Sequence, residues 1–187
     1  MRVGLKLAFL GLLSLLSACA TAPVDQNVKA CEPLPVADCL TLLKQKGLQP
    51  EAVDNTLVDV AIGHLQHHRS DVALDYLNVL TKRDDKSALT HRKLGDAFSL
   101  LASQEQTVDG DLNVLLSGAN YMIASVNYML ASTKDPSDQM NYIDAGRTAI
   151  QAGACEIAES MRSEHEKRFG KNDRQRELAA IVHQKCG

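Results

Sequence analysis

Residues 88–98 read ALTHRKLGDAF, and within them Leu94-Gly95-x-x-Phe98 answers Val60-Ala61-x-x-His64, thirty-four residues earlier. An apolar residue, then a small one, then a bulky one three positions on describes a helix face whose middle lets another helix come close. The pattern returns as Ala145-Gly146-x-x-Ala149, fifty-one residues after the second copy, which is one period plus seventeen. Self-similarity at a period in the thirties marks stacked helix pairs. The chain is therefore expected to be all-α, with seventeen residues inserted in its middle unit.

Working outward, apolar residues at helical spacing predict the remaining helices. Residues 36–46 carry Val36, Cys39, Leu40, Leu42 and Leu43 and stop at Gly47. Residues 54–67 carry Leu57, Val60, Ala61, His64 and Leu65; residues 70–82 carry Ala73, Leu74, Leu77 and Leu80, with Ser70 and Asp71 as capping residues. Helices over 138–151 and 155–169 are turned by Ala152-Gly153-Ala154, and 173–185 form a last amphipathic helix with Leu178, Ile181 and Val182 inward. His64 to Ala73 and Ala149 to Ala158 both span nine residues, but Phe98 to Ala124 spans twenty-six, so the insertion falls within 103–119. Val114, Leu115, Leu116, Ala119 and Met122 make the second helix of that pair start early and run to about Ser132. The units become 54–87, 88–138 and 139–171, closed by a cap over 173–186.

These pairs resemble tetratricopeptide repeats. In that family a small residue in the first helix admits the second, an alanine in the second returns the contact, and a proline commonly closes the unit. Ala61 with Ala73, Gly95 with Ala124, and Gly146 with Ala158 match the two small positions, and Pro136 matches the closing proline that the other two copies lack. The resemblance covers residues 54–185. It implies a right-handed solenoid of about three repeats, with a short N-terminal helix, a C-terminal capping helix, and a concave groove lined by the first helix of each pair. By helical spacing Val58, Ile62 and Leu65 form one groove stripe, Arg92, Asp96 and Ser99 the next, and Ile143, Arg147 and Ile150 the third. Such a groove implies an extended or helical peptide partner with apolar anchors and an acid.

The first eighteen residues form a leader: Arg2 and Lys6, an apolar run of ten residues over 7–16, then Leu16-Ser17-Ala18 before Cys19. Ten apolar residues are too few to span a bilayer. Leu-Ser-Ala-Cys resembles a bacterial lipobox, which implies that Cys19 becomes the acylated first residue of the mature protein. By the sorting pattern of that class, Ala20 rather than an acid at the next position implies the periplasmic face of the outer membrane. Residues 19–35 are expected to be a lipidated tether and 36–187 the helical domain. Loss of the leader's two cations takes the net charge from −3 to −5, and neither value favours nucleic acid.

Cys31, Cys39, Cys155 and Cys186 remain, an even number in an export context where disulfides persist. Cys31 with Cys39 closes a short proline-containing loop. Cys155 with Cys186 stands about equally far from the Gly170-Lys171 turn along two antiparallel helices, so that a bond would tie the cap to the last repeat. The spacing lacks the close cysteine pairs of a zinc site.

Little in the chain carries catalytic chemistry: there is no metalloprotease helix, phosphate-binding glycine loop or nucleophile elbow. His64, His67 and His68 offer two imidazoles on a helix face but no third ligand. Asp109-Gly110-Asp111 lacks the ligand series of a calcium loop. The sequence thus points to a non-enzymatic, cofactor-free, lipid-anchored scaffold or assembly factor that binds another envelope protein. The alternatives are a metal-responsive or enzyme-associated subunit using the histidine cluster, and a structural homo-oligomer built on the inserted middle pair.

Overall fold

The computed structural model describes residues 26–107 and 110–187. Among them the chain forms nine helices: α1 (Gln26–Cys31), α2 (Val36–Gln45), α3 (Pro50–Gln66), α4 (Ser70–Thr81), α5 (Ala88–Gln106), α6 (Asp111–Lys134), α7 (Gln139–Gln151), α8 (Cys155–Phe169) and α9 (Asp173–Cys186). The fold is all-α. Consecutive helices pack in pairs, α3 with α4, α5 with α6 and α7 with α8; α3 also lies against α5, α6 against α7, and α9 against both α7 and α8.

Local chemistry sets most of the boundaries. Pro50 occupies the first turn of α3, where its missing N–H costs nothing and its fixed φ favours the helix. The helix therefore starts before the Asp54 boundary expected from apolar periodicity. The Ser87 side chain caps α5 by accepting from Thr90 N at 3.1 Å, Asp138 caps α7 by accepting from Met140 N at 2.9 Å, and Asn172 caps α9 by accepting from Gln175 N at 2.9 Å. Ser70 and Asp71 do not cap α4: the capping position falls on Arg69, and the Ser70 hydroxyl donates to Gln104 Oε1. Gly47, at φ +68°, ends α2 in a conformation that a side chain would strain.

One expectation is corrected. Residues 26–31, assigned to a tether, form the helix α1. It is held there by the Cys31–Cys39 bond and by Tyr76, whose hydroxyl donates to the carbonyls of Cys31 (3.1 Å) and Leu34 (2.6 Å). In the inserted segment 103–119, the polar residues Gln104, Glu105 and Gln106 form the last turn of α5. Gln104 Nε2 donates at 2.6 Å to Leu65 O, a carbonyl at the C-terminal end of α3 that also accepts from His68 N. Most of the insertion is thus extra helix on both members of the pair, and α6 reaches 24 residues.

The buried apolar residues fall into two clusters. The larger runs from Cys31 and Leu43 through α3, α4 and α5 to Tyr128 and Tyr142. A smaller one at the C-terminal end joins Ile143, Ala149, Ala158, Leu178 and Val182. Small residues control two close approaches. A Cβ on Gly95 would stand 2.7 Å from the Tyr128 ring in α6, as the small-residue pattern anticipates for that pair. A Cβ on Gly146 would meet Leu178 of α9 at 3.0 Å, so its close neighbour is the last helix rather than Ala158 of α8. Both disulfides form, Cys31–Cys39 with Cα atoms 4.9 Å apart and Cys155–Cys186 with Cα atoms 5.6 Å apart. Two such bonds are the mark of an oxidising, extracytoplasmic compartment. The leader, Cys19 and the tether as far as residue 25 lie outside the described residues.

Candidate functional surface

The nine positions assigned to a groove divide by burial. Val58, Leu65 and Ile143 are closed off in the core, so they offer no surface to a partner. Each faces a neighbouring helix instead, because α3 and α7 are surrounded on several sides. Ile62, Ile150, Arg92, Ser99 and Arg147 are half-buried and Asp96 is exposed. What survives as an open face is therefore narrower and more polar than the sequence pattern implied.

The two arginines join helices rather than wait for a ligand. Arg92 on α5 does not pair with Asp96 one turn away. Its guanidinium donates to Asn141 Oδ1 at 2.8 Å and to Asp144 Oδ2 at 3.0 Å, both on α7, and stands 3.5 Å from Asp138. Arg147 on α7 reaches Glu177 on α9 at 2.5 Å, and Lys93 on α5 reaches Asp59 on α3 at 2.7 Å. Ion pairs thus run from α3 to α5, α7 and α9, bridging helices two elements apart in sequence.

Burial tunes this ladder. It raises the Asp144 carboxyl above the usual carboxylate range, an effect that Arg92 opposes. Asp96 accepts a hydrogen bond from the Tyr128 hydroxyl at 2.7 Å. That tyrosine is held far above its ordinary pKa, first by burial and then by Asp96, so it acts as a donor. The Arg92 guanidinium also lies 5.9 Å from the centre of the Tyr128 ring, within cation–π range.

The three histidines do not converge. His64 is turned into the core against Tyr76, with ring centroids 5.7 Å apart, and neither of its nitrogens has a hydrogen-bond partner. Burial lowers its pKa, with Arg69 adding to the effect. His67 and His68 sit exposed at the C-terminal end of α3, His68 with φ +55°. Among the described residues no group of three or more histidine, cysteine or acidic side chains is placed to hold a metal ion.

An open cleft of about 720 Å³ lies between α8 and α9 beside the Cys155–Cys186 bond, walled by Glu156, Glu159, Arg162, Val182 and His183. Its cation is already engaged, since Arg162 donates to both Glu159 and Glu166.

Sequence reasoning offered the inserted middle pair as a self-contact but did not identify the apolar outer face of α6. That helix exposes Leu112, Val114, Leu115, Leu116, Ile123, Val126 and Leu130 while burying Ser117, Ser125 and Asn127. The run of 22 uncharged residues between Asp111 and Lys134 was the available signal. Comparison with protein-family models, with curated proteins and with solved structures finds no significant match to this chain.

Proposed function

We propose that this protein is a non-enzymatic scaffold of the bacterial envelope. In this proposal it is anchored by acylated Cys19 at the periplasmic face of the outer membrane, and it holds another envelope protein on the face formed by α3, α5, α7 and α9. We also propose that its helix pairs form a right-handed solenoid of tetratricopeptide-like units. The observation that carries the proposal is the ion-pair ladder: Lys93–Asp59, Arg92–Asp144 and Arg147–Glu177 join every second helix side by side, as first helices are joined in a stacked-pair solenoid. Two disulfides accord with export, and the lipobox-like Leu16-Ser17-Ala18-Cys19 accords with an anchor. The histidine-based alternative draws no support, because His64 faces Tyr76 in the core while His67 and His68 are in solvent.

The partner would meet Ile62, Asp96, Arg147 and Ile150, four of the six assigned groove positions that keep open surface. Crosslinking in the native envelope tests this with Ile62→Gln plus Ile150→Gln, uncharged substitutions at half-buried positions on the edges of the two apolar clusters, with helical circular dichroism measured alongside so that lost contact is told from lost folding. Loss of most of the partner signal is expected, and an undiminished crosslink to the same protein overturns the groove. The anchor is tested by metabolic acyl labelling. Label is expected on the wild-type chain and absent from Cys19→Ser, whereas labelling of that variant overturns it.

A further inference from the structure

Helix α6 buries polar side chains while it exposes a row of large apolar ones. Its polar side chains face the protein and find partners there: Ser117 Oγ donates to Ala102 O (2.8 Å), Asn120 Nδ2 to Glu105 Oε2 (2.7 Å), Ser125 Oγ to Ala145 O (2.9 Å) and the Tyr128 hydroxyl to Asp96. Opposite the buried Tyr121, Ala124, Tyr128 and Ala131, the helix carries a second apolar face that points outward. Leu112, Leu116, Ala119, Ile123, Val126 and Leu130 stand on this face, the five larger ones between 38% and 67% exposed. Their spacing is 4, 3, 4, 3, 4, which is the a/d seam of a left-handed coiled coil, extending for about 27 Å.

That spacing reads the same in both directions about residue 121. When the helix is laid antiparallel on its own copy at that centre, Leu112 meets Leu130, Leu116 meets Val126 and Ala119 meets Ile123. Every layer then pairs one seam residue with another, and the small Ala119 faces the large Ile123. Such self-complementarity is what an isologous two-fold interface requires. The ends match in charge as well. Asp111 and Lys134 bound the uncharged run, and antiparallel pairing brings each within about one turn of the other's counterpart, with the helix dipoles opposed. With the flanking Leu115, which is 69% exposed, the face offers on the order of 500–700 Å² per copy, close to the roughly 800 Å² per partner of a standard interface.

A bilayer fits less well, although α6 is long and apolar enough to span one by length and composition. Spanning would strip Asn120, Ser125, Asn127 and Tyr128 of their partners on α5 and α7 and place them in hydrocarbon. Lying on a membrane surface favours flanking Lys and Arg, and the uncharged run of α6 is bounded by one acid and one lysine.

We propose that α6 is the seam of a two-fold homodimer in which it packs antiparallel on a second copy of itself, centred at residue 121. This interface is independent of the partner face on α3, α5, α7 and α9. The test uses the full chain carrying Cys19→Ser, so that no acyl group contributes, and the further variants Leu116→Glu and Val126→Lys. Sedimentation equilibrium at about 100 μM, a range that captures micromolar association, is expected to give two chains per particle for the parent. Each further variant is expected to give one chain, with association weakened at least tenfold and helical circular dichroism unchanged. An equimolar mixture of the two is expected to recover the two-chain particle, because the carboxylate introduced in one copy then faces the ammonium introduced in the other. A parent that sediments as one chain overturns the proposal, and so does a mixture that stays at one chain. A monomeric parent that binds phosphatidylcholine vesicles, while its Leu116→Glu variant does not, assigns the face to a membrane and also overturns it.

Discussion

At the scale of single residues, the small positions were legible because a recurring Gly or Ala at fixed helical spacing has few other uses. Which neighbour each one admits was not, since that depends on packing between distant segments. Gly95 and Gly146 make the difference measurable. A methyl on Gly95 meets the Tyr128 ring at 2.7 Å, and that ring is buried and tethered through its hydroxyl to Asp96. Gly95→Ala is therefore expected to cost about 1–3 kcal/mol through overpacking, despite a helix-propensity gain of about 1 kcal/mol. Gly146→Ala meets the Leu178 side chain less closely, its nearest methyl at 3.0 Å, and should cost less than Gly95→Ala. Urea midpoints of the two variants check the ranking, and equal losses contradict it.

Histidine burial supplies a second prediction at this scale. His64 and His165 are fully buried with no partner for either nitrogen, and each is held below 6.5, chiefly by desolvation. The unfolded chain then binds these protons first. Stability is complete above the unfolded value of 6.5 and falls as the pH drops from there toward the native values. Melting temperatures from about pH 8 to about pH 5 should show this acid slope. The double variant His64→Leu with His165→Leu should flatten it, with no loss at the alkaline end, because an apolar replacement leaves no buried polar atom unpaired. His91, also lowered by burial against the opposing hydrogen bond that its Nδ1 donates to Asn127 Oδ1, contributes to the slope that remains.

At the scale of elements, periodicity located α2 through α9 to within a few residues, and the misses have physical causes. Proline pre-organised four extra residues at the start of α3, and a disulfide with two tyrosine hydrogen bonds ordered α1 where the sequence shows no sustained pattern. The face of α6 was the larger miss. The period of Val114, Leu115, Leu116, Ala119 and Met122 announces a helix but cannot say which side is buried, and here the hydrogen bonds of Ser117, Asn120 and Ser125 turn the polar side inward. The terminal element makes its own prediction. The bond between Cys155 and Cys186 closes a span of 31 residues and pins α9 over Ile143, Ala149 and Ala158. Replacing both cysteines by serine should cost about 2–4 kcal/mol. Amides of α9 should lose hydrogen-exchange protection before those of α3. A variant whose α9 amides stay as protected as the wild type would show that apolar contact alone holds the cap.

At the scale of the whole molecule, the tandem order of helix pairs was readable from a thirty-four-residue echo, but what couples the pairs was not. A side-chain link from Arg92 to Asp144 joins positions 52 residues apart, and no local pattern announces it. Its place matters because the two apolar clusters meet near α7: Tyr142 and Ala145 belong to the larger, Ile143 and Ala149 to the smaller. Arg92 crosses from the larger cluster to α7 through Asn141, Asp144 and Asp138. Arg92→Met removes the only cation paired with Asp144 among the described residues while burial still disfavours that carboxylate. Truncating one side of a fully buried pair costs about 3–5 kcal/mol. With both side chains here partly exposed, the expected loss is about 1–3 kcal/mol. Adding Asp144→Leu should recover much of it, because the stranded charge leaves with its partner. If the link couples the two clusters, the single variant should loosen the amides of α7, α8 and α9 more than those of α3 and α4 in native-state hydrogen exchange, and the double variant should not restore that coupling even where it restores the midpoint. A uniform loss along the chain would instead place the cooperative connection in the apolar contact of α6 with α7.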